Sequence, residues 1–482
     1  MGKLANIKPE RVMYYFEKIS EIPRCSYEEK KISDYLMDVA DTLGYPAVRD
    51  EALNVIIKKP ATPGYEDAPV VVLQGHMDMV CEKRDGSDHD FSKDPIDLKV
   101  DGDYIIAEDT TLGADNGIAV AMALAILEDN TLLHPSLEIL ITSNEETGMT
   151  GARELDPDQI SGKILINIDA EEEGTALVSC AGGERNLITI PIEWREIEEK
   201  NLYKIQVSGL QGGHSGMEII KERGNSNVIL GRILNRLDLE GVDLVEVQGG
   251  SKSNAIPRSA FAKIALKDNR MEEMEVVLKV VEDEILTELA SKDPGLKISI
   301  AKTDETSSKA FDHNTKRALI NTLYLIPNGV QSMSMDIEGL VESSNNLGVI
   351  ETFGDEIIIE CTIRSSLGSL KANISEKIRK LAALSGVEFE SMSSYPAWEF
   401  KSDSYIRDVF KSSYREINGE ELHIDAIHAG LECGLFDEKF ENMDMISFGP
   451  NIYGVHAPGE YFSISSTRRV YELLLKVLEN IK

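Results

Sequence analysis

The sequence has few cysteines, few cationic side chains and no long apolar run. Its 482 residues include 5 cysteines, which are scattered without a Cys-x-x-Cys pair. Because the number of cysteines is small and odd, the sequence predicts neither a disulfide framework nor a cysteine-rich zinc site, and it favours a reducing compartment. Because no run of about 18 apolar residues and no apolar signal region occurs, we expect neither a membrane span nor secretion. We therefore expect a cytoplasmic protein.

Positive charge is scarce relative to negative charge. The chain has 50 Lys and Arg residues against 84 Asp and Glu residues, and its formal net charge is −34. A surface this acidic repels phosphate backbones and anionic lipid headgroups. We therefore expect no binding to nucleic acid and no docking on membranes. The function classes that remain are an enzyme and a binding protein.

Helices and buried strands alternate in the two ends of the chain. Apolar runs bounded by polar residues are typical of strands buried on both faces, and their alternation with helices predicts a mostly parallel α/β sheet flanked by helices. The predicted strands are Val55–Ile57, Ala68–Leu73, Ser136–Thr142, Lys163–Ile168 and Met443–Phe448. The predicted helices are Pro9–Ile19, Tyr27–Leu43 with Ser26 as its N-cap, Asp115–Leu127 and Thr467–Ile481.

The middle of the chain has a different pattern. Half-buried strands and long helices there predict an α+β sandwich with helices on one face. A segment that begins VEVQGG at Val245 and one that begins VESSNN at Val341 each precede a helix, which suggests an internal repeat. We predict a catalytic domain of residues 1–184 and 396–482, interrupted by an α+β lid domain of residues 185–395. Duplication within the lid is a hypothesis.

Ligand-type side chains follow the predicted buried strands. In open α/β sheets, ligands bind beyond the carboxyl ends of the strands. Imidazoles together with carboxylates suit Zn²⁺, Mn²⁺ or Co²⁺ better than Ca²⁺, which prefers oxygen ligands alone. The side chains are His76, Asp78, Glu145, Glu146, Asp169 and His456, with Asp115 at the start of a helix.

The charges of these residues favour two metal ions. A bridging Asp115 with terminal Glu146 and Asp169 supplies three negative charges, which two divalent ions and one hydroxide neutralise. Such a hydroxide could attack a carbonyl that one ion polarises. Glu145, adjacent to a ligand, is the candidate proton shuttle, and Asp78 could hold a ligating imidazole in its tautomer.

Each residue alone also has a structural explanation. A histidine after a strand is usually a hydrogen-bonded structural residue, Asp115 could be a helix N-cap, and a Glu-Glu pair is usually solvated. The coincidence of five ligand-type side chains on one sheet favours a metal centre. We expect the remaining histidines without such context, His89, His134, His313 and His423, to be structural.

Eight motifs together resemble a known family. In order, they are GHMDMV, GADNG, EETGMTGA, NIDAEE, GLQGGHSG, SNAIPR, HAGLECG and GVHAPGE. The set resembles the di-zinc metallopeptidase family of aminoacylases and carboxypeptidases, most closely its aminoacyl-histidine dipeptidase branch. The resemblance implies a catalytic α/β domain with an inserted lid and two Zn²⁺ per chain, with Co²⁺ or Mn²⁺ as substitutes. The implied roles are His76 on one zinc, His456 on the other, Asp115 as the bridge, Glu146 and Asp169 completing the shells, Glu145 as the base and Asp78 as the support of His76.

The resemblance also suggests residues for the substrate. His214 in the lid would stabilise the oxyanion, and it would come either from a partner chain of a homodimer or from an enlarged lid. Asn254 and Arg258 would bind the terminal carboxylate of the substrate. His428 and Glu432 are further substrate-binding candidates in a glycine-containing turn of the catalytic domain; such a turn can bring backbone N–H groups to a carboxylate or can serve only to shape the loop. His214 and Arg258 have structural alternatives, a satisfied loop histidine and a surface charge.

The expected function is metal-dependent hydrolysis of unblocked dipeptides, including Xaa-His types, by a hydroxide between two divalent ions. The expected partner is a small peptide substrate. An N-acyl amino acid amidohydrolase or a tripeptidase would use the same metal chemistry. From another class, a catalytically silent binding protein could share the fold. The adjacent Glu145 and Glu146 argue against that alternative, because a silent site needs no base beside a ligand.

Overall fold

The chain forms two compact units in a computed structural model that describes residues 2–238, 242–266 and 268–482. Unit 1 runs from the N-terminus to Ser179 and also contains Phe400–Ala426 and Leu431–Lys482. Unit 2 contains Cys180–Glu399 and the short segment Ile427–Gly430. The sequence did not predict that this short segment belongs to unit 2. No helix among the described residues is long and apolar enough to cross a bilayer.

The helices and strands follow in chain order. The helices are α1 (Glu10–Ser20), α2 (Lys30–Leu43), α3 (Ala114–Glu128), α4 (Thr150–Glu154), α5 (Ser226–Arg236), α6 (Met271–Leu289), α7 (His313–Leu325), α8 (Gly368–Ser385), α9 (Tyr405–Asn418), α10 (Glu432–Lys439) and α11 (Ile464–Asn480). The strands are β1 (Ala47–Arg49), β2 (Val55–Lys59), β3 (Val71–His76), β4 (Lys99–Asp101), β5 (Tyr104–Ile106), β6 (Leu137–Thr142), β7 (Ile164–Asn167), β8 (Thr175–Cys180), β9 (Gly182–Pro191), β10 (Trp194–Ser208), β11 (Gly213–His214), β12 (Asp243–Gly249), β13 (Ala255–Ile256), β14 (Ala260–Ala265), β15 (Lys297–Phe311), β16 (Gly329–Met333), β17 (Val341–Phe353), β18 (Glu356–Ser365), β19 (Glu388–Tyr395), β20 (His423–Ile427), β21 (Asp444–Phe448), β22 (Ile452–Tyr453) and β23 (Tyr461–Ser463).

A mixed sheet forms the centre of unit 1. Its strand order is β1-β2-β6-β3-β7-β21-β8-β20. The four central strands β6, β3, β7 and β21 are parallel, and antiparallel pairs flank them. Every residue of β3, β6 and β7 is buried, which explains why these strands read as continuous apolar runs. The predicted α/β class with a mostly parallel central sheet is confirmed.

An antiparallel sheet forms the centre of unit 2. Its order is β15-β10-β14-β12-β17-β18-β9-β19, with β16 paired to β17. The order is symmetric about the β12–β17 pair. One half contains β10, α5, β12, β14, α6 and β15, and the other contains β9, α7, β17, β18, α8 and β19. The segment that begins at Val245 lies in one half and the segment that begins at Val341 in the other. The two segments occupy equivalent positions in their halves, in agreement with the repeat suggested by the sequence.

Two local predictions are wrong. Cys25 and Cys81 form a disulfide with their Cα atoms 5.7 Å apart. The scattered spacing hides this pair because the chain brings Cys25 back beside Met79 in a short parallel bridge. Ser26 does not cap α2, which begins at Lys30 after a turn. Its hydroxyl instead donates to the carboxylate of Asp78.

Candidate metal centre and active site

The parallel strands of unit 1 bring the predicted ligands to one edge of the sheet. His76 is the last residue of β3, and it pairs with Thr142 at the end of β6. Glu146 follows β6, and Asp169 follows β7 on the other side of β3. Because parallel strands end at the same edge, side chains that are distant in sequence converge there.

Asp115 lies between the two predicted histidine ligands. Its Oδ1 is 3.0 Å from Nε2 of His76, and its Oδ2 is 3.1 Å from Nε2 of His456. The Nε2 atom of His76 is also 3.4 Å from Oδ1 of Asp169, and that of His456 is 2.9 Å from Oε2 of Glu146. The five residues therefore form two groups, each with one imidazole and one terminal carboxylate, and the groups share Asp115.

This donor set fits two divalent cations. Ligand atoms of His76, Asp115 and Glu146 all lie within 4.8 Å of one another. The Oε1 atom of Glu146 is buried and has no hydrogen-bond partner, although buried carboxylate oxygens normally have one. Each group offers nitrogen and oxygen donors of the kind that Zn²⁺, Co²⁺ and Mn²⁺ bind.

The pKa values show how much negative charge is concentrated at this edge. Burial raises the pKa of Asp169 to about 6, and the nearby Asp115 and Glu146 add to the effect. Hydrogen bonds to Asp115 and Glu146 raise the pKa of His456 to about 11. Burial also raises the pKa of Glu145 well above its usual value, with Asp169 and Glu146 contributing. Cations that occupied the centre would relieve this repulsion between carboxylates.

Asp78 supports both a predicted ligand and the predicted base. Its Oδ1 accepts the backbone N–H of Glu145 at 3.0 Å, and its Oδ2 accepts the N–H of Glu146 at 3.3 Å and the Ser26 hydroxyl at 2.8 Å. Nδ1 of His76 lies 3.2 Å from the Asp78 carbonyl oxygen and 3.4 Å from its Oδ1. The sequence suggested that Asp78 orients His76 but gave no indication of its bonds to the Glu145–Glu146 turn.

Asn116 connects the ends of two strands, β3 and β7, that end at or just before predicted ligands. Its Oδ1 accepts the backbone N–H of His76 at 3.2 Å, and its Nδ2 donates to the carbonyl of Ile168 at 2.6 Å. Ile168 immediately precedes Asp169. In the sequence, the only indication of this contact was that Asn116 is a polar residue directly after Asp115 in the GADNG motif.

Unit 2 brings His214, Arg364 and His428 together around Gly216. A Cβ atom at Gly216 would lie 2.6 Å from the His428 carbonyl oxygen, 3.1 Å from Cε1 of His214 and 3.2 Å from Nε of Arg364. Only glycine leaves this space free. His428 is buried, and its Nε2 lies 2.7 Å from the hydroxyl of Ser344. The sequence assigned His428 to the catalytic domain, whereas the structure groups it with unit 2.

The surroundings of His214 fix its tautomer. Its Nδ1 accepts the backbone N–H groups of Gly216 at 3.3 Å and Met217 at 3.2 Å. Burial lowers the pKa of His214, and the charge of Arg364 lowers it further. The lowered pKa favours the neutral ring, and a neutral ring that accepts at Nδ1 carries its proton on Nε2, where it is a hydrogen-bond donor.

The other predicted substrate residues lie in different surroundings. Asn254 is exposed and lines a polar cavity of about 510 Å³ in unit 2, together with Arg364. Arg258 is exposed, with its side chain packed beside Gly212. Glu432 is fully buried in unit 1, where it accepts hydrogen bonds from Nε2 of Gln74 at 2.6 Å and from the Thr142 hydroxyl at 2.8 Å.

A sequence model of peptidase family M20/M25/M40 matches residues 72–480. The chain belongs to this family. The membership confirms the predicted resemblance. The Escherichia coli (strain K12) protein named cytosol non-specific dipeptidase is 37% identical over 486 residues, which cover 100% of this chain and 99% of that protein. The similarity to this relative thus extends over the full length of the M20 peptidase.

Solved structures agree with this membership. The aminoacylhistidine dipeptidase from Vibrio alginolyticus shares 38% sequence identity with this M20 peptidase at a TM-score of 0.93, over 99% of this chain and 98% of that chain. The aminopeptidase PepT from Bacillus cereus ATCC 10987 has a TM-score of 0.58 at 15% identity, over 98% of this chain and 99% of that chain. At that identity, the second comparison shows a shared fold only.

Arg364 is a residue of this M20 peptidase that the sequence analysis missed. The residue is 7% exposed, its Nη1 donates to the Tyr395 hydroxyl at 3.1 Å, and its Nε is buried without a partner. A buried cationic donor with a free N–H is a strong candidate to bind an anionic group. The signal in the sequence was an arginine at a buried position near the end of strand β18.

Proposed function

We propose that this protein is a cytoplasmic dipeptidase that hydrolyses unblocked dipeptides, including Xaa-His types, with two zinc ions. The observation that carries the proposal is Asp115, whose two carboxylate oxygens face His76 and His456 separately. The names of the two full-length relatives, a cytosol non-specific dipeptidase and an aminoacylhistidine dipeptidase, support the substrate class and the compartment.

The metal ions would be held by the two groups that share Asp115. His76 and Asp169 would complete one site, and His456 and Glu146 the other. When bound, two such ions lower the pKa of a water molecule and polarise the carbonyl of the scissile peptide bond. We expect Zn²⁺ as the native ion, with Co²⁺ or Mn²⁺ as substitutes, because the donors are imidazole nitrogens and carboxylate oxygens.

Glu145 would move the proton. Its backbone is held by Asp78, and burial together with neighbouring carboxylates favours its protonated form. Such a carboxylate readily accepts a proton from the attacking water and returns it to the leaving amine nitrogen when the peptide bond breaks. Glu432 is one of the carboxylates that raise the pKa of Glu145, and its burial supports this electrostatic role better than contact with substrate.

Other predicted residues would bind the rest of the substrate. His214 presents a neutral ring with its proton on Nε2, which suits the developing oxyanion. Arg364 is a better candidate than the exposed Arg258 for the terminal carboxylate, because its unpartnered Nε is already desolvated. Asn254, on the same cavity as Arg364, would assist it, and His428 would shape that region through Ser344.

A substrate panel with restored metal tests the proposal. The panel contains β-alanyl-histidine, other Xaa-His dipeptides, unrelated dipeptides, a tripeptide and N-acetyl amino acids. We expect hydrolysis of several unblocked dipeptides and little hydrolysis of the others. Preference for N-acetyl amino acids would indicate an amidohydrolase, and preference for the tripeptide a tripeptidase. Metal-loaded protein that is inactive on the whole panel would indicate a silent binding protein.

A further inference from the structure

Glu460 binds the turn that leads into Asp115. Its side chain is buried, and its Oε2 accepts the backbone N–H groups of Leu112 at 2.7 Å and Gly113 at 2.9 Å. Its Oε1 accepts those of Ala114 at 2.8 Å and Asp115 at 3.4 Å. One carboxylate thus contacts four successive N–H groups, the last of which belongs to the residue that the two histidines share.

Arg24 binds the same turn from its carbonyl side. The guanidinium is buried, and its Nη2 donates to the carbonyl of Gly113 at 2.5 Å. Its Nη1 donates to the carbonyls of Met77 at 3.0 Å and Asp78 at 3.1 Å, directly after His76. Arg24 therefore connects the turn before Asp115 to the segment that follows β3.

The two glycines of the GADNG motif make room for this guanidinium. A Cβ atom at Gly113 would lie 2.4 Å from Nη2 of Arg24, and one at Gly117 would lie 2.6 Å from the same atom. Gly113 also has a φ of 71°, which side chains with a Cβ rarely adopt. The spacing of the motif is thus explained by the space that Arg24 occupies.

The turn determines where the Asp115 carboxylate points. Asp115 has φ −79° and ψ 107°, so it is not held by helical geometry although it lies in the first turn of α3. Glu460 also lies four residues after His456, which faces the other side of Asp115. The two buried groups therefore join three segments, those that carry His76, Asp115 and His456.

Capping of α3 alone does not explain this arrangement. A Ser, Thr, Asn or Asp side chain satisfies the N–H groups of a helix start without burying an arginine and a glutamate. Burying charged side chains is costly unless their hydrogen bonds are made, and here the bonds go to backbone on both sides of one turn. We propose that Arg24 and Glu460 are positioning residues that together set the place of the Asp115 carboxylate and thereby the affinity of the metal centre.

This inference rests on the proposed two-metal centre, and metal binding measured directly tests it. Glu460→Gln has the shape of the parent side chain, but its amide nitrogen cannot accept the N–H groups that now face one oxygen. We expect the Kd of at least one metal to rise by about 10- to 100-fold, the usual range for a residue that orients a ligand. The measurement is competition between metal-stripped protein and a fluorescent chelator for Zn²⁺. The matched control is Glu472→Gln, an exposed residue on α11.

Arg24→Lys tests the other side of the turn. Lysine retains the positive charge but loses the fork that reaches Gly113, Met77 and Asp78 together. We expect it to weaken the same metal site as Glu460→Gln. The control is Arg49→Lys, an arginine paired with Asp34 at the surface. Because both residues act on one turn, the double variant should weaken binding by less than the product of the two single effects.

The outcomes distinguish a positioning role from a structural one. Suppose that Glu460→Gln and Arg24→Lys fold, that their Kd values for both ions lie within twofold of the parent values, and that only their Tm falls. The inference is then wrong, and the pair merely stabilises the fold. If Glu460→Gln does not fold, Glu460→Asp and Arg24→Lys decide by the same criterion. A parent chain that binds no metal overturns the proposed function, and the inference with it. If the parent binds two ions and the variants bind them with the same affinity, the inference is wrong but the proposed function is not.

Discussion

The carboxylate of Asp78 accepts the backbone N–H of Glu145 at 3.0 Å. Burial alone would raise the pKa of Asp78, but hydrogen bonds from the His76 ring, from the Glu145 N–H and from the Ser26 hydroxyl hold it below its usual value. The charged carboxylate thus fixes both the ring of a proposed ligand and the backbone of the proposed base. Because the turn is held through its backbone, the side chain of Glu145 can be changed without releasing Glu146.

That relationship makes Glu145 and Glu146 a matched pair for mutation. We predict that Glu145→Gln lowers kcat by about 10²-fold or more while both metals stay bound, because a general base contributes about 10²- to 10⁴-fold. Glu146→Gln should instead weaken the site that contains His456. Metal content by elemental analysis and kcat on a dipeptide separate the two effects. Normal turnover of Glu145→Gln would refute its assignment as the base.

Metal removal should abolish hydrolysis. The five proposed ligands are two imidazoles and three carboxylates, and we expect activity lost to a chelator to return with Zn²⁺, Co²⁺ or Mn²⁺. Ca²⁺ should not restore it, because it prefers oxygen ligands alone. Activity and bound metal are measured on the same samples. Full activity in protein shown to be metal-free would exclude the proposed centre.

The site was largely predictable because it lies at the ends of parallel strands. Strands buried on both faces leave apolar runs in the sequence, and the polar residues that follow them must meet at one edge of the sheet. His76, Glu146 and Asp169 fall in this class. Asp115 and His456 do not follow a predicted strand directly, and the motifs around them were needed to place them.

The parts that could not be predicted depend on contacts between distant segments. Arg24 and Glu460 bind backbone groups, and a backbone hydrogen bond leaves no pattern of side chains in the sequence. His428 was assigned to the wrong unit because a short segment, Ile427–Gly430, leaves unit 1 and returns to it within a few residues. Glu432, in the same motif, lies in the other unit for this reason.

The pairing of Cys25 with Cys81 gives a direct chemical prediction. We expect an alkylating reagent to label three cysteines in denatured, unreduced protein, namely the buried Cys180, Cys361 and Cys433. After reduction it should label all 5. Closing a loop over 56 residues should stabilise the fold by about 4 kcal/mol in the chain-entropy model, so reduction should lower the Tm. Five labelled cysteines without reduction would show that the pair is present as thiols.

The role of His214 can be separated from metal binding. Its Nε2–H donor would act on the oxyanion, which exists only in the transition state, so it should affect kcat more than KM. We predict that His214→Ala lowers kcat by about 10²-fold, with both metals bound and KM changed much less. His313→Ala, an exposed histidine at the start of α7 in the same unit, is the control.

The pattern of the result decides between three roles for His214. A raised KM with unchanged kcat would make it a substrate-binding residue that does not favour the transition state. No change in either would make it a structural loop histidine, held by the N–H groups of Gly216 and Met217. Mixing His214→Ala with the inactive Glu145→Gln chain then tests a homodimer. Recovered activity requires that His214 of one chain complete the site of its partner, because only then does a mixed pair contain one intact site.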